Sequence, residues 1–461
     1  MHTAARRRGL TAAGLPAGLI ALLLSLAVLL PAGLWPSLAP AQPADTASDA
    51  ITEEVKRSIL ARTERLLERQ AFASGVDFDT WPEVLAQYRA RLDRAQTHGQ
   101  FAFVLNQAMR EFGISHIDIL PPSIAQRVSE TEIVGIGVRA LVTERGVLVS
   151  QVLPESPAAR AGLRRGDTMV EIDGRALRAV EDIRGPEGSS FVSKVLRDDG
   201  SYAELKFTRA RVSVVDPATL EVLGGGVGLL RLPTFSAGYD RAQVAGLFRQ
   251  VKDQGLGGLI IDLRSNGGGL VDNMKHFLGF LLEPAEAIGT EVPKEAADRY
   301  ARQTGKDSSD VVAVAEWVSR KTFARPSRVA RELGPFQGKL AVLIDRGSAS
   351  ASEIVAAAMR ELRGAPLIGS RTAGAVLVSR VETTADGFLL KVPVSDYVTI
   401  KGFRIEGNPL RPDVEASSRR GADAVKVALE RLARELPEPA PQPDPAAHAE
   451  QQSPQAGALP R

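Results

Sequence analysis

Two loops rich in glycine or serine carry the groups best suited to chemistry, and each follows an apolar run and precedes a helical pattern. The first is residues 262–269, DLRSNGGG, and the second is residues 345–353, DRGSASASE. Glycines at the start of a helix let backbone N–H groups approach a ligand and stabilise a developing oxyanion. A serine at the start of the second helix would gain nucleophilicity from the helix dipole. Ser348, Ser350 and Ser352 could equally cap that helix, so their spacing alone leaves both roles open.

The elements around these loops predict an α/β fold. After residue 212, nearly continuous apolar runs at 226–232, 258–263 and 340–345 alternate with amphipathic patterns at 241–253 and 271–282. Strands that are buried on both faces and alternate with helices are typical of an α/β sheet.

Upstream, residues 46–130 predict a small helical domain, because apolar residues recur at near-helical spacing: Val55, Ile59, Leu60, Leu66 and Leu67. The domain ends through Gly113 into an extended or turn segment that contains His116.

Residues 131–212 read as strand, strand, short helix, tight turn and strand, and this segment resembles the PDZ domains of bacterial periplasmic proteases. Ser156 and Pro157 form an N-cap and first-turn pair, and Gly162 is placed to end the short helix in a left-handed conformation. The resemblance implies that the loop Gly135-Ile136-Gly137-Val138 offers N–H groups to a peptide's terminal carboxylate while the peptide adds a strand to the sheet edge. A tight turn without ligand is the alternative for these glycines.

The two loops together, with the PDZ segment before them and Pro412-Asp413-Val414 after them, resemble the C-terminal processing peptidases, also called tail-specific proteases. The resemblance covers residues 134–415. It implies a crotonase/Clp-like α/β catalytic domain at 213–436 with an inserted PDZ domain. It also implies that Ser350 is the nucleophile and that the oxyanion donors are the amides of Gly267 or Gly268 and of Ala351.

The sequence departs from that family at the catalytic base. Many members use a lysine in a Thr-x-Gly-Lys segment, and the matching residues here are Thr372-Ala373-Gly374-Ala375. A second branch, which includes the tricorn core protease, uses a histidine from the N-terminal domain and a glutamate before Gly-x-x-Pro-Asp, and His116 and Glu406 stand at those places. The resemblance therefore implies Ser350 as nucleophile, His116 as general base and Glu406 as the group that orients the imidazole.

Other bases are weaker candidates. Lys391 and Lys401 lie in the same domain but outside the family's lysine segment. The remaining histidines are expected in the signal region, a polar turn, the helix after the glycine loop and the tail: His2, His98, His276 and His448.

Composition and the chain ends limit the function further. With no cysteine and a net charge of +2, the sequence excludes a catalytic thiol and indicates no nucleic-acid partner. No metal-ligand spacing appears, and Gly224-Gly225-Gly226 lacks the rest of a phosphate-binding loop, so no cofactor or metal is expected.

Residues 1–41 predict a signal peptide, with Arg6 to Arg8 before an apolar run and Ala39-Pro40-Ala41 after it, and an uncleaved membrane tether is the alternative. The tail at 437–461 is rich in Pro, Ala and Gln and is expected to be disordered.

The sequence thus predicts an extracytoplasmic serine endopeptidase, periplasmic or secreted, that acts on protein or peptide substrates and recognises their C-termini, or gates its site, through the PDZ domain. A catalytically inactive relative that binds peptides or other ligands is the alternative. A homo-oligomer stays open, and the charged, helix-prone segment at 293–330 is expected to form either a lid or an assembly surface.

Overall fold

The computed structural model describes residues 49–129, 132–153, 155–197, 199–213, 216–329, 331–416 and 423–436. The predicted signal peptide and the predicted tail lie outside these residues. Over the described ranges, no helix combines the length and the apolar character needed to cross a membrane.

The N-terminal region is built from helices whose boundaries follow local capping. The side-chain oxygens of Thr52 and Thr97 accept hydrogen bonds from backbone N–H groups in the first turns of two of them. The buried faces pack around Trp81 and Phe101. The elements of this region are α1 (Glu53–Arg69), α2 (Trp81–Arg94), α3 (His98–Arg110), β1 (Asp118–Leu120) and α4 (Pro122–Ser129).

The segment read as a PDZ domain forms a β-sheet with strand order β3-β4-β5-β7-β8, to which β6 adds beside β5. Its ends, β2 and β9, pair with each other as an antiparallel ribbon. Ser156 caps the short helix and Gly162 has φ +79°, as the sequence predicted. The elements are β2 (Glu132–Gly135), β3 (Val138–Thr143), β4 (Gly146–Val152), α5 (Pro157–Arg160), β5 (Thr168–Ile172), β6 (Arg175–Ala176), β7 (Ser190–Leu196), β8 (Tyr202–Thr208) and β9 (Ala210–Ser213).

The main sheet is six-stranded and places the two candidate loops side by side. Its order is β10-β11-β12-β15-β16-β19, parallel from β11 onward. The carboxyl ends of parallel strands meet at one sheet edge, so the loops after β12 and β15 are neighbours. The elements are β10 (Thr219–Gly224), β11 (Val227–Arg231), α6 (Arg241–Asp253), β12 (Gly258–Asp262), α7 (Val271–Leu278), β15 (Lys339–Ile344), α10 (Ala351–Arg363), β16 (Leu367–Gly369), β19 (Val414–Glu415) and α11 (Ala424–Glu435).

A second sheet joins the N-terminal region to the rest of the chain. Its long central strand pairs with β1 on one side, so Asp118 faces Lys391. The apolar core of the N-terminal helices continues into Phe388 and Leu390 of this sheet. The predicted helical domain therefore shares its core with the region at 213–436. The additional elements are β13 (Gly289–Pro293), α8 (Lys294–Thr304), α9 (Val311–Thr322), β14 (Phe323–Ala324), β17 (Val378–Thr383) and β18 (Leu389–Thr399).

Candidate active site

Ser350 stands at the turn between β15 and α10 in a strained backbone conformation, with φ +57° and ψ −121°. Its N–H donates to the carbonyl of Ala375 at 2.8 Å and to Glu353 Oε2 at 3.2 Å. A non-glycine residue held at positive φ costs free energy and is a recurring feature of functional turns. Ser350 is also the N-cap residue of α10 and forms a capping box with Glu353, so the two roles left open by the sequence fall on one residue.

His116 lies in the turn after α3 and is also held at positive φ, +61°. Its Nε2 is 3.1 Å from Ser350 Oγ, although the two residues are 234 positions apart in the chain. Its Nδ1 is 2.6 Å from the hydroxyl of Ser115. The fold thus brings the predicted nucleophile and base within hydrogen-bond distance.

Glu406 is buried and reaches the imidazole only through Ser115. Its Oε2 accepts from Ser115 Oγ at 2.9 Å, and its Oε1 accepts from the Ser115 N–H at 2.8 Å. Oε2 also accepts from the N–H of Val376 at 2.8 Å. The sequence predicted Glu406 as the group that orients the imidazole, but sequence reasoning missed Ser115, which forms the bridge between them. The only signal for it was a serine immediately before the histidine.

The bridge fixes which imidazole nitrogen carries the proton. A carboxylate can only accept, so the single hydroxyl proton of Ser115 goes to Glu406. The Ser115 oxygen then accepts from the Nδ1–H of His116. Assigned from this network, the neutral imidazole presents an unprotonated Nε2 to Ser350.

The surroundings of His116 favour its neutral form. Burial lowers the pKa of His116 well below its usual value of 6.5, and the positive charge of Lys391 lowers it further. Asp118, opposite Lys391 in the sheet, has its own pKa raised by burial. A neutral imidazole near neutral pH is the form that can accept a proton from a hydroxyl.

The glycine loop lies against Ser350, but its two candidate amides differ. The N–H of Gly268 donates to Asn266 Oδ1 at 2.9 Å and is therefore already engaged. Among the described residues, neither the Gly267 nor the Ala351 N–H has a hydrogen-bond partner. Gly268 instead permits close approach, because a Cβ there would lie 2.7 Å from the Cβ of Ser350. The geometry favours Gly267 over Gly268 as a donor.

Residues 372–375, where many family members have the catalytic lysine, are held by hydrogen bonds to the buried Glu353. Sequence reasoning did not single out this glutamate. Glu353 accepts hydrogen bonds from the N–H groups of Gly374 and Ala375, each at 2.8 Å, and from the hydroxyl of Thr372. Burial raises the pKa of Glu353, and these bonds oppose that rise. Ala375 is buried at the nucleophile turn, where its carbonyl accepts from Ser350.

Three other residues weighed from the sequence lie elsewhere. Lys401 is exposed, and its backbone N–H donates to the carboxylate of Glu361. His98 was expected in a polar turn but begins α3, where it is buried and 2.6 Å from an oxygen of Asp386. His276 lies in α7, as expected, and its Nδ1 is 2.9 Å from the hydroxyl of Tyr239.

The segment at 293–330 packs against β13 and β18 through an apolar cluster that includes Val314 and Val398. Within the described residues, no group of three or more His, Asp or Glu side chains is arranged to hold a metal ion.

The loop at residues 135–138 of the PDZ segment leads into the edge strand of its sheet. Ile136 is buried, and its carbonyl accepts from Ala158, while Gly137 has φ +78°. A Cβ on Gly137 would lie 2.3 Å from the Cβ of Ser156, so the close approach requires glycine. Val138 begins β3, which is the outermost strand of its sheet.

Comparison with known families agrees with this fold. Residues 226–416 match peptidase family S41, and residues 148–197 match a PDZ domain. The first match lies almost entirely within the region that resembles the C-terminal processing peptidases, and that resemblance, drawn from the sequence, is confirmed. The segment that contains Ser350 and Glu406 is thus similar to a peptidase family, and the segment before it is similar to PDZ domains.

The individual proteins that resemble this chain have low sequence identity to it. A protein named "Probable CtpA-like serine protease" from Staphylococcus haemolyticus is 24% identical over 293 residues, which are 62% of this chain and 53% of that protein. The chloroplastic C-terminal processing peptidase of Tetradesmus obliquus is 29% identical over 293 residues, 59% of this chain and 57% of that one. The chain thus spans just over half the length of the curated relatives it matches. A solved photosystem II D1 C-terminal processing protease is 22% identical, covers 83% of this chain and 97% of its own, and has a TM-score of 0.44.

Proposed function

We propose that this protein is an exported serine endopeptidase that hydrolyses peptide bonds in extracytoplasmic proteins, with Ser350 as its nucleophile. The observation that carries the proposal is the 3.1 Å separation between Ser350 Oγ and His116 Nε2. A nucleophile and a base within hydrogen-bond reach, with the base oriented by a third group, is the arrangement that acyl transfer needs. The match of residues 226–416 to peptidase family S41 supports the same reaction.

The geometry supports the following mechanism. Ser350 Oγ attacks the scissile carbonyl carbon while His116 Nε2 accepts the hydroxyl proton. The imidazolium that forms is stabilised through the Ser115 hydroxyl by the Glu406 carboxylate. His116 then gives the proton to the leaving amine, and an acyl-enzyme remains on Ser350. A water molecule, deprotonated by His116, attacks the ester and releases the second product.

The tetrahedral oxyanion is bound by backbone amides. The proposed donors are the N–H groups of Gly267 and Ala351, and Ala351 is the first residue of α10, where the helix dipole favours negative charge. Asn266 supports this loop, because its side chain donates to the Leu232 carbonyl at 2.7 Å and accepts from Gly268.

The PDZ segment is proposed to recognise substrate C-termini. The loop Gly135 to Val138 leads directly into the edge strand β3, beside which a peptide could add as a further strand. The 3₁₀ turn Val180–Ile183 packs against the same core as β3 and would form the other wall of such a groove.

Export and cleavage of residues 1–41 are proposed from the sequence pattern described above. An inactive peptide-binding relative is the competing function, since the lysine of many family members is alanine here. That alternative predicts a separation between Ser350 and His116 beyond hydrogen-bond reach, and the separation falls within it.

The test is cleavage of an unfolded protein by the purified mature protein. Ser350→Ala and His116→Ala are expected to abolish turnover, and Glu406→Gln to lower it. Ser352→Ala is the matched control, because the Ser352 hydroxyl is buried two residues away and has no hydrogen-bond partner among the described residues. An active His116→Ala variant would place the base elsewhere, and Lys391 would be tested next. An inert wild-type protein would favour the binding function.

A further inference from the structure

Beside the catalytic residues, and on elements that carry them, lies a basic cavity of about 910 Å³. Four arginines line it, together with one glutamate and a partly exposed phenylalanine: Arg346, Arg360, Arg371, Arg411, Glu415 and Phe403. This volume is within the range of pockets that bind ligands. It exceeds what a single small anion fills.

The four guanidinium groups differ from most structural arginines, which are paired with a carboxylate. Within the part of the chain that the structure describes, none of them forms an ion pair with a carboxylate. Among the described residues, Arg360 donates only to the carbonyl of Arg411, at 3.3 Å. Four positive charges against the single negative charge of Glu415 leave the lining strongly cationic. Guanidinium groups with free donors are suited to bind carboxylates, often in a bidentate manner.

The walls of the cavity are connected to the catalytic residues by short hydrogen-bonded paths. Arg346 lies on the loop that ends at Ser350. Arg371 precedes Thr372, which exchanges two hydrogen bonds with Leu410, at 3.0 Å and 2.8 Å. The N–H of Gly407, next to Glu406, donates to the carbonyl of Gly374 at 2.9 Å. The cavity is therefore built on the same loops that hold Ser350 and Glu406.

We propose that this cavity binds an acidic segment of the polypeptide that is being cleaved. This inference rests on the proposed function, since a polypeptide held at Ser350 presents its own Asp and Glu side chains at high effective concentration. Phe403, 40% exposed, offers an apolar surface for their side-chain stems. The cavity would act as a second recognition site, distinct from the PDZ loop, that favours substrates with acidic segments.

Binding is tested on the full Ser350→Ala protein with a fluorescently labelled peptide rich in Asp and Glu. Amidation of its C-terminus keeps the PDZ loop from contributing. We expect measurable binding that weakens as salt is added, and no comparable binding of the same peptide with Asn and Gln in place of the acids. Arg371→Gln with Arg411→Gln should weaken binding at least about tenfold, since two charge-assisted contacts are lost.

The matched control is Arg249→Gln with Arg302→Gln, which removes the same charge from exposed positions on α6 and α8, away from the cavity. This control should bind the acidic peptide as tightly as the parent. Equal loss in both double variants would reveal only a net-charge effect and overturn the proposal. Unchanged binding in the Arg371 and Arg411 variant would overturn it as well.

Two further outcomes separate this inference from the proposed function. If an oligonucleotide or polyphosphate binds through these arginines and the acidic peptide does not, the cavity takes another polyanion and the inference is wrong. If the acidic peptide binds through them but the wild-type protein cleaves no protein, the proposed function fails while the peptide site stands. In active protein, the acidic substrate should show a lower KM than its neutral counterpart, and this difference should vanish in the double variant.

Discussion

Ser115 is the residue on which the orientation of the imidazole depends. Replacing it with alanine leaves the Nδ1–H of His116 without its acceptor and leaves Glu406 without contact to the ring. We expect Ser115→Ala to lower kcat on the order of 10²-fold, the lower end of what acid–base catalysis contributes, with KM little changed. Ser115→Thr keeps the hydroxyl and should retain most of the lost activity. Equal kcat for Ser115→Ala and wild type would show that Glu406 acts without the bridge.

The pH dependence of cleavage measures the effect of the Lys391 charge on the pKa of His116. Burial and the Lys391 charge together hold the pKa of His116 well below 6.5, so the imidazole stays neutral, and active, into acidic solution. Lys391→Met removes a cation that disfavours the imidazolium, so the pKa of His116 rises. The acid limb of kcat/KM should therefore move to higher pH, which a pH series on wild type and variant measures.

Lys306→Met is the control for that shift, since Lys306 is exposed and lies beyond α8. Its acid limb should coincide with that of the wild-type protein. A limb that stays in place in Lys391→Met, or moves to lower pH, would contradict the electrostatic role of Lys391.

At the residue level, the sequence motifs were enough to select Ser350, His116 and Glu406 as candidates, which the fold brings together. They were not enough to find Ser115 or Glu353. The bonds of Ser115 to Glu406 join residues 291 positions apart, and the bonds of Glu353 to Gly374 and Ala375 cross from helix to loop. Such partners follow from the tertiary fold, and no local pattern of residue types encodes them.

The two loops at the sheet edge form a single packed element, and Gly268 is its tightest point. An alanine Cβ there would approach Ala349 O and Ser350 Cβ to 2.7 Å, and the backbone φ is +91°. We expect Gly268→Ala to displace the nucleophile and lower kcat by about 10²-fold, a loss typical of a displacement near 1 Å. Steady-state cleavage measures this loss.

Gly255→Ala is the control that distinguishes backbone strain from a steric clash with Ser350. Gly255 also has positive φ, +62°, but a Cβ there would meet nothing within 4 Å. It should carry a similar backbone cost and leave kcat near that of wild type. Similar kcat losses in both variants would mean that backbone strain, and not contact with Ser350, accounts for the effect.

The elements of the main sheet were predictable because their signals are local. Buried strands such as β12 and β15 are short apolar runs, and α6 begins and ends where the amphipathic pattern does. The second sheet was not predicted. Its strand β1 has three residues and becomes a strand only by pairing with β18, more than 250 positions later in the chain. That pairing places the turn with His116 beside Ser350.

At the scale of the whole molecule, the chain enters and leaves the PDZ segment at the same place. Glu132 pairs with Ser213, so the segment is a module inserted between the proposed base and the proposed nucleophile without separating them. His116 precedes the insertion and Ser350 follows it, yet they meet at 3.1 Å. Any influence of PDZ binding on catalysis must therefore pass through the β2–β9 ribbon or through contacts such as the one between Arg139 and Asp216.

This arrangement predicts that the substrate's C-terminus affects binding more than chemistry. An unfolded substrate with a free C-terminal carboxylate should show a lower KM than the same substrate with an amidated C-terminus, with similar kcat. Gly137→Ala should remove that difference, because its Cβ would collide with Ser156 and distort the carboxylate loop. Gly174→Ala, at φ +74° in the same module with nothing within 4 Å, should preserve it.

Whether the free carboxylate changes KM or kcat distinguishes two roles of the PDZ module. If the free carboxylate changes kcat instead of KM, the module gates the catalytic residues, and the β2–β9 ribbon becomes the connection to alter. If amidation changes neither constant in the wild-type protein, the loop at 135–138 is only a turn. Substrate selection would then rest on the arginine-lined cavity and the cleft around Ser350.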